Sequence, residues 1–315
     1  MKRLLALTLA AVLLCGGCAP LLDRNYGPIL QQESHVQTED DSSVLRAENY
    51  QGVISALLYF VEQRQEKGVL RLYNYKNDVE TDLQAARREA VEEDPLGAYA
   101  VDYINFEIVS VVSYYEVSFS ISYSRTAQQM GQIPSAIGSA AIRKAISGAL
   151  DVYSNELVLR IGVYDRNQER LEELFHEVYS SKPETAMGYP AMTIQFYPTV
   201  FGTHQPIAEF LFDYPFSQIE MNRMRQELAA ACEEIDLAAL LAAENSALAA
   251  RAFLAQRAVL VEDGASASCA TAYGALVEGE ADRTGMELAW RLLCQLLEIE
   301  GGAYFEDEAA PEIHA

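Results

Sequence analysis

One pattern of apolar positions occurs twice in the middle of the chain, and it limits the fold more than any other feature. Val69-Leu70-Arg71-Leu72 recurs as Val158-Leu159-Arg160-Ile161, 89 residues on. Ile104-Asn105-Phe106 recurs as Ile194-Gln195-Phe196 after 90 residues, and Phe119 and Tyr123 recur as Phe210 and Tyr214 after 91. Drift by single residues is what loop insertions produce, so two copies of one supersecondary unit are expected. Each copy reads helix, strand, helix, strand, strand.

The periodicities within a copy assign its elements. Val53, Ile54, Leu57, Leu58 and Val61 recur at helical spacing and predict a helix over 51–65; Ile137, Ile142, Ala145, Ile146 and Leu150 predict its counterpart over 135–150. Second helices over 79–92 and 167–180 are charged on one side and apolar on the other. Val117, Phe119, Ile121 and Tyr123 alternate with serines, and Phe210, Phe212 and Tyr214 alternate likewise, which gives strands with one buried face. Residues 111–115 and the loop around Gly202 would close hairpins. The expected class is α+β: tandem units in which antiparallel sheets are covered by helices.

Around these copies the chain divides into a leader (1–17), a polar acidic tether (18–49), the two units (50–130 and 131–216), an Ala-rich helical connector (217–262) and a last segment (263–315). Ser217 with Glu220 forms a capping box that opens the connector, with Phe216 and Met221 as a staple. Leu237, Leu240, Leu241, Leu248, Phe253 and Leu254 are its candidate packing positions.

The leader carries Lys2 and Arg3, then an uncharged run from Leu4 to Leu14, then Cys15-Gly16-Gly17-Cys18. A basic start before a short apolar run is a secretion signal, and roughly 20 apolar residues would be needed to cross a bilayer. Small residues directly before a cysteine resemble a bacterial lipobox, with Cys15 where that pattern usually has leucine. The resemblance implies cleavage before Cys18, acylation of its thiol, and a protein held on the outer face of the cytoplasmic membrane. Loss of Lys2 and Arg3 would take the formal charge from −23 to −25. Such a surface repels phosphate backbones and anionic lipid, so nucleic acid is not an expected partner.

Cys232, Cys269 and Cys294 remain; at most one bridge can form among three, and buried thiols are the simpler expectation. His35, His176, His204 and His314 are scattered, and neither Asp78, Glu80 and Asp82 nor Glu306-Asp307-Glu308 has the glycine and spacing of a calcium loop. No metal and no cofactor is expected.

The last segment holds the one motif with mechanistic content. Tyr273, Leu276, Gly279, Ala281, Gly285, Ala289, Leu292 and Ile299 stand where the nucleophile segment of the transglutaminase-like superfamily has its characteristic residues, and from Asp263 onward the chain resembles part of such a domain. In that family a cysteine opens a helix whose N-terminus favours the thiolate, a histidine on a later strand acts as base, and an acidic residue orients it. At the cysteine position this chain has Arg283, which is no nucleophile at neutral pH. Thr284 reads as an N-cap paired with Glu287. Cys294 lies eleven residues past Arg283, roughly 16 Å along a helix. His314, followed by Ala315, falls where the family's histidine is expected.

The resemblance therefore implies an extracytoplasmic lipoprotein whose transglutaminase-like segment lacks its thiol and serves in binding or as a scaffold, with peptides or cell-wall-associated proteins as partners. The alternatives are an envelope peptidase or amide-transferring hydrolase that uses Thr284 or His314, and a solute-binding lipoprotein, ranked last because paired strands argue against alternating single strands and helices.

Overall fold

The structure is a computed structural model that describes residues 37–38, 44–200, 202 and 204–305. Its architecture is α+β, with helices flanking small sheets rich in antiparallel pairs. The first sheet has the order β1 (Gln37–Thr38), β2 (Val44–Ala47), β3 (Lys67–Tyr73), β5 (Tyr114–Tyr123), β4 (Val101–Val111). The second has the order β6 (Ser135–Ala136), β7 (Glu156–Ile161), β9 (Ile207–Asp213), β8 (Ala191–Tyr197). Apart from β1 the two orders correspond, with β2 parallel to β3 and β6 parallel to β7, and every later pairing antiparallel.

Helices fill the intervals. In the first unit α1 (Tyr50–Glu62) joins β2 to β3, and α2 (Val79–Arg88) runs into a π turn over Glu89–Glu93 before the short helix α3 (Pro95–Ala100). Helix α4 (Ala127–Gly131) links the units. In the second unit α5 (Ser139–Asp151) and α6 (Gln168–Ser181) correspond to α1 and α2. Asn49, Asp78, Thr126 and Asn167 cap their helices through side-chain oxygens, which satisfies backbone amides that have no intrahelical partner.

Three details depart from the expected pattern. Each unit starts with an extra strand, so part of the stretch read as tether, Val44–Ala47, lies in the first sheet. Ser135 and Ala136 likewise form a strand rather than the start of a helix, and Ile137, expected on the buried face, is exposed. Register also corrects the strand equivalence. Phe119 faces Phe106 and Phe210 faces Ile194, so Phe106 corresponds to Ile194, not to Phe196. A slip of two residues keeps every side chain on its face and therefore leaves no mark on the alternation.

The connector folds as α7 (Gln218–Glu233), α8 (Leu237–Leu241) and α9 (Ser246–Arg257). Ser217 caps α7 by accepting the Glu220 amide. Met221, Met224, Leu228, Ala250 and Leu254 join the core of the second unit, whereas Leu241 and Leu248 are exposed. That core continues into α10 (Arg283–Leu297), whose Trp290 is fully buried and donates to the Gly302 carbonyl at 2.7 Å. Among the described residues no helix is long and apolar enough to cross a membrane.

Candidate functional site

The start of α10 is built by a short parallel pair and a tight loop. β10 (Val259–Leu260) lies beside β11 (Glu280–Ala281), and Gly279, at φ 81°, makes the left-handed turn into β11 that a side chain would strain. The Asp282 amide then donates to the Cys269 carbonyl at 3.0 Å, holding the first turn of α10 against the loop over 266–271. A Cβ on Gly285 would stand 2.0 Å from that same carbonyl oxygen and 2.9 Å from the Thr271 carbonyl oxygen. Tyr273, Leu276, Ala281, Ala289 and Leu292 are all buried. The motif residues thus have packing roles that require no chemistry.

The Arg283 amide donates to Asp263 Oδ1 at 3.4 Å and its guanidinium lies 5.1 Å from the centroid of the Phe305 ring. The N-cap is Asp282, not Thr284: Asp282 Oδ1 accepts the Gly285 amide at 2.9 Å. Glu287 does not close a box with Thr284. It accepts the Tyr304 amide at 2.8 Å and pairs with Arg291 at 3.2 Å, because the segment after α10 folds back over the helix. Asp282 is only 4% exposed. Burial pushes its carboxyl above the usual range and nearby Asp263 adds to this, while the amides of Gly285, Gly264 and Thr284 act against it. Helix N-termini favour negative charge, and here a built-in carboxylate group takes that place.

Cys294 is buried on the fourth turn of α10, where burial pushes its thiol up; a Cβ on Gly301 would stand 2.2 Å from its sulfur. Cys232, Cys269 and Cys294 are all free thiols. Cys269 adjoins the helix start through its backbone, and its sulfur accepts from the Ser266 hydroxyl at 3.2 Å. His176 is half-buried on α6 beside Tyr189, its pKa lowered by burial and then by Arg291. Cys18 and His314 lie outside the described residues. Among the described residues no group of three or more His, Cys, Asp or Glu side chains converges as a metal site.

A second polar cluster, missed in the sequence, lies between the two units. Glu209 on β9 faces outward from its sheet but is only 1% exposed, since α3 and the segment after β5 cover that face. Arg125 Nη2 stands 2.6 Å from Glu209 Oε1, and the Tyr197 hydroxyl donates to Oε2 at 2.8 Å. Arg125 also lies 4.7 Å from the Tyr99 ring centroid. Oε1 of Glu209 and Oε1 of Glu156 are both buried and neither accepts a hydrogen bond from a donor group. Burial raises the Glu156 carboxyl, and a hydrogen bond to Glu209 raises it further. Glu156 is thereby shifted toward its protonated form.

A carboxyl raised on folding takes up a proton, so its stabilising effect is complete below the unfolded value of 4.5 and is lost as pH rises through the folded value. Asp94 and Glu62, raised first by burial, act in the same direction. These carboxyls lower stability as pH rises from their unfolded values through their folded ones, while His176, lowered first by burial, acts in the opposite direction. Glu156→Gln, which carries no charge, should gain melting temperature relative to the wild type as pH rises above 4.5; parallel pH profiles from thermal melts would refute the raised Glu156 carboxyl.

Comparison with protein-family models and with curated proteins finds no match to this chain.

Proposed function

We propose that this chain is a lipid-anchored extracytoplasmic protein whose last segment is a transglutaminase-like domain without its nucleophile, acting as a binding or scaffold protein at the cell envelope. The observation that carries the reading is the start of α10. Arg283 stands where the family needs a helix-stabilised thiolate; its amide donates to Asp263 and its guanidinium lies over the Phe305 ring, while Asp282 caps the helix end that would have stabilised that anion. A thiolate there would lie beside a buried carboxyl group, and Thr284 meets that carboxyl through its backbone amide. Active members of the family act on peptide and amide groups, so peptides and cell-wall-associated proteins are the partners that a retained surface would fit. The net charge of −23 disfavours nucleic acid.

The test is a panel of fluorogenic peptides and amides together with a thiol-directed peptide warhead, read by peptide mass spectrometry. No turnover and no adduct over residues 282–285 are expected. Turnover abolished by Thr284→Ala or by replacement of His314, or an adduct on Cys269 accompanied by turnover that Cys269→Ser abolishes, would make the protein an enzyme.

A further inference from the structure

The first sheet ends in a hairpin unlike the rest of this acidic surface. From Ile108 to Tyr115 there is no charged residue, in a chain of net charge −23. Val112 and Ser113 form its two-residue turn; Val112 is fully exposed, Val109 is 57% exposed, and Ile108, Val111 and Tyr115 are also exposed. Tyr114 stacks near Tyr73, with ring centroids 5.0 Å apart. Valines at a turn with tyrosines just behind match the gradient of a bilayer surface, where aromatic rings sit at headgroup depth.

Sheet register shows where the tip lies relative to the N-terminal chain. Gln37, Arg46, Arg71, Glu116 and Val109 form one row across the sheet, and Thr38, Leu45, Leu70, Val117 and Ile108 form the row farther from the tip. Followed backward from Thr38 to Gln37, the chain moves toward the turn at Val112. The first strand, β1, therefore begins at the end of the sheet that carries the uncharged hairpin tip.

We infer that this hairpin tip seats in the interfacial layer of the bilayer and sets the orientation of the body on the membrane, an inference that rests on Cys18 being a lipid anchor. A second copy is a poorer occupant, since a stable protein interface takes about 20–30 residues a side and the uncharged tip supplies eight. Retention comes from the acyl chains, so the tip orients the protein without being needed to hold it.

The test uses the full acylated protein in phosphatidylcholine vesicles with acyl chains brominated near the headgroup. The native Trp290 is buried and provides the baseline. In Val112→Trp, emission from the new indole should be quenched about twofold or more. Tyr164→Trp, at a fully exposed site in the second unit, should be unaffected. Adding Val109→Asp and Val111→Asp to Val112→Trp should abolish quenching while the protein stays with the vesicles. An unquenched Val112→Trp on protein whose Cys18 is acylated by mass overturns this inference and leaves the anchor standing; the same result with twice the monomer mass in sedimentation assigns the tip to a second copy. If Cys18 carries no acyl group, the anchor reading fails, and the inference with it.

Discussion

Gly285→Ala is expected to cost about 3 kcal/mol or more, among the largest effects of any single methyl group in this protein. The added carbon would stand 2.0 Å from the Cys269 carbonyl oxygen, which is backbone and already accepts the Asp282 amide. Relief requires either α10 or the 266–271 loop to move, and α10 carries Trp290, Leu293 and Leu297 into the main core. At about 2–4 °C per kcal/mol for a domain of this size, the melting temperature should drop by roughly 6 °C or more. Gly148→Ala is the control. Gly148 lies inside α5 with nothing within 4 Å of its added carbon, and there alanine should stabilise by about 0.5–1 kcal/mol. Thermal melts of the two variants should therefore move in opposite directions. A Gly285→Ala protein that melts with the wild type would show that the loop yields freely and that the close approach carries no weight.

The second large effect concerns location. Cys18→Ala removes the thiol at which the lipobox-like pattern would be acylated. Two acyl chains hold a protein to a bilayer far more firmly than one, and among the described residues no helix replaces them as a membrane span. Membrane fractionation of producing cells should find the wild type with the membranes and the variant released, or retained only as uncleaved precursor. A variant that stays with the membranes after its leader has been removed would contradict a lipid on Cys18. The hairpin tip, which orients without retaining, does not alter this expectation.

What could be read from the sequence, and what could not, follows from the range of the interactions. Val117, Phe119 and Ile121 alternate with serines over consecutive residues, so β5 and its buried face were legible locally. The 89-residue offset between Arg71 and Arg160 holds in the structure because β2 and β6 meet them in matching parallel register. By contrast, β6 is two residues long and presents no period, and the slip between Phe106 and Ile194 is invisible to any argument based on alternating faces. Ile207 and Glu209 read as an ordinary strand with one wet face. Their burial comes from Tyr99, Arg125 and Met130, about a hundred residues earlier, and no local pattern encodes such docking.

The same division runs through the candidate site. The motif marked Arg283 and the start of a helix, and the helix begins there. The cap was displaced by two residues. Asp282 and Thr284 are both cap-forming types, and each has a plausible partner three residues on; the choice falls to Asp282 because Tyr304 claims Glu287. Asp263 and Phe305, which surround Arg283, are distant in sequence and join it only when the loop before β11 and the segment after α10 close over the first turn.

The most direct measurement is the mass of the N-terminal peptide of the native protein, taken from cell membranes. A peptide that begins at Cys18 and carries a diacylglyceryl group is the predicted result. A cytosolic protein that still begins at Met1 with an unmodified Cys18 would contradict the account at its base.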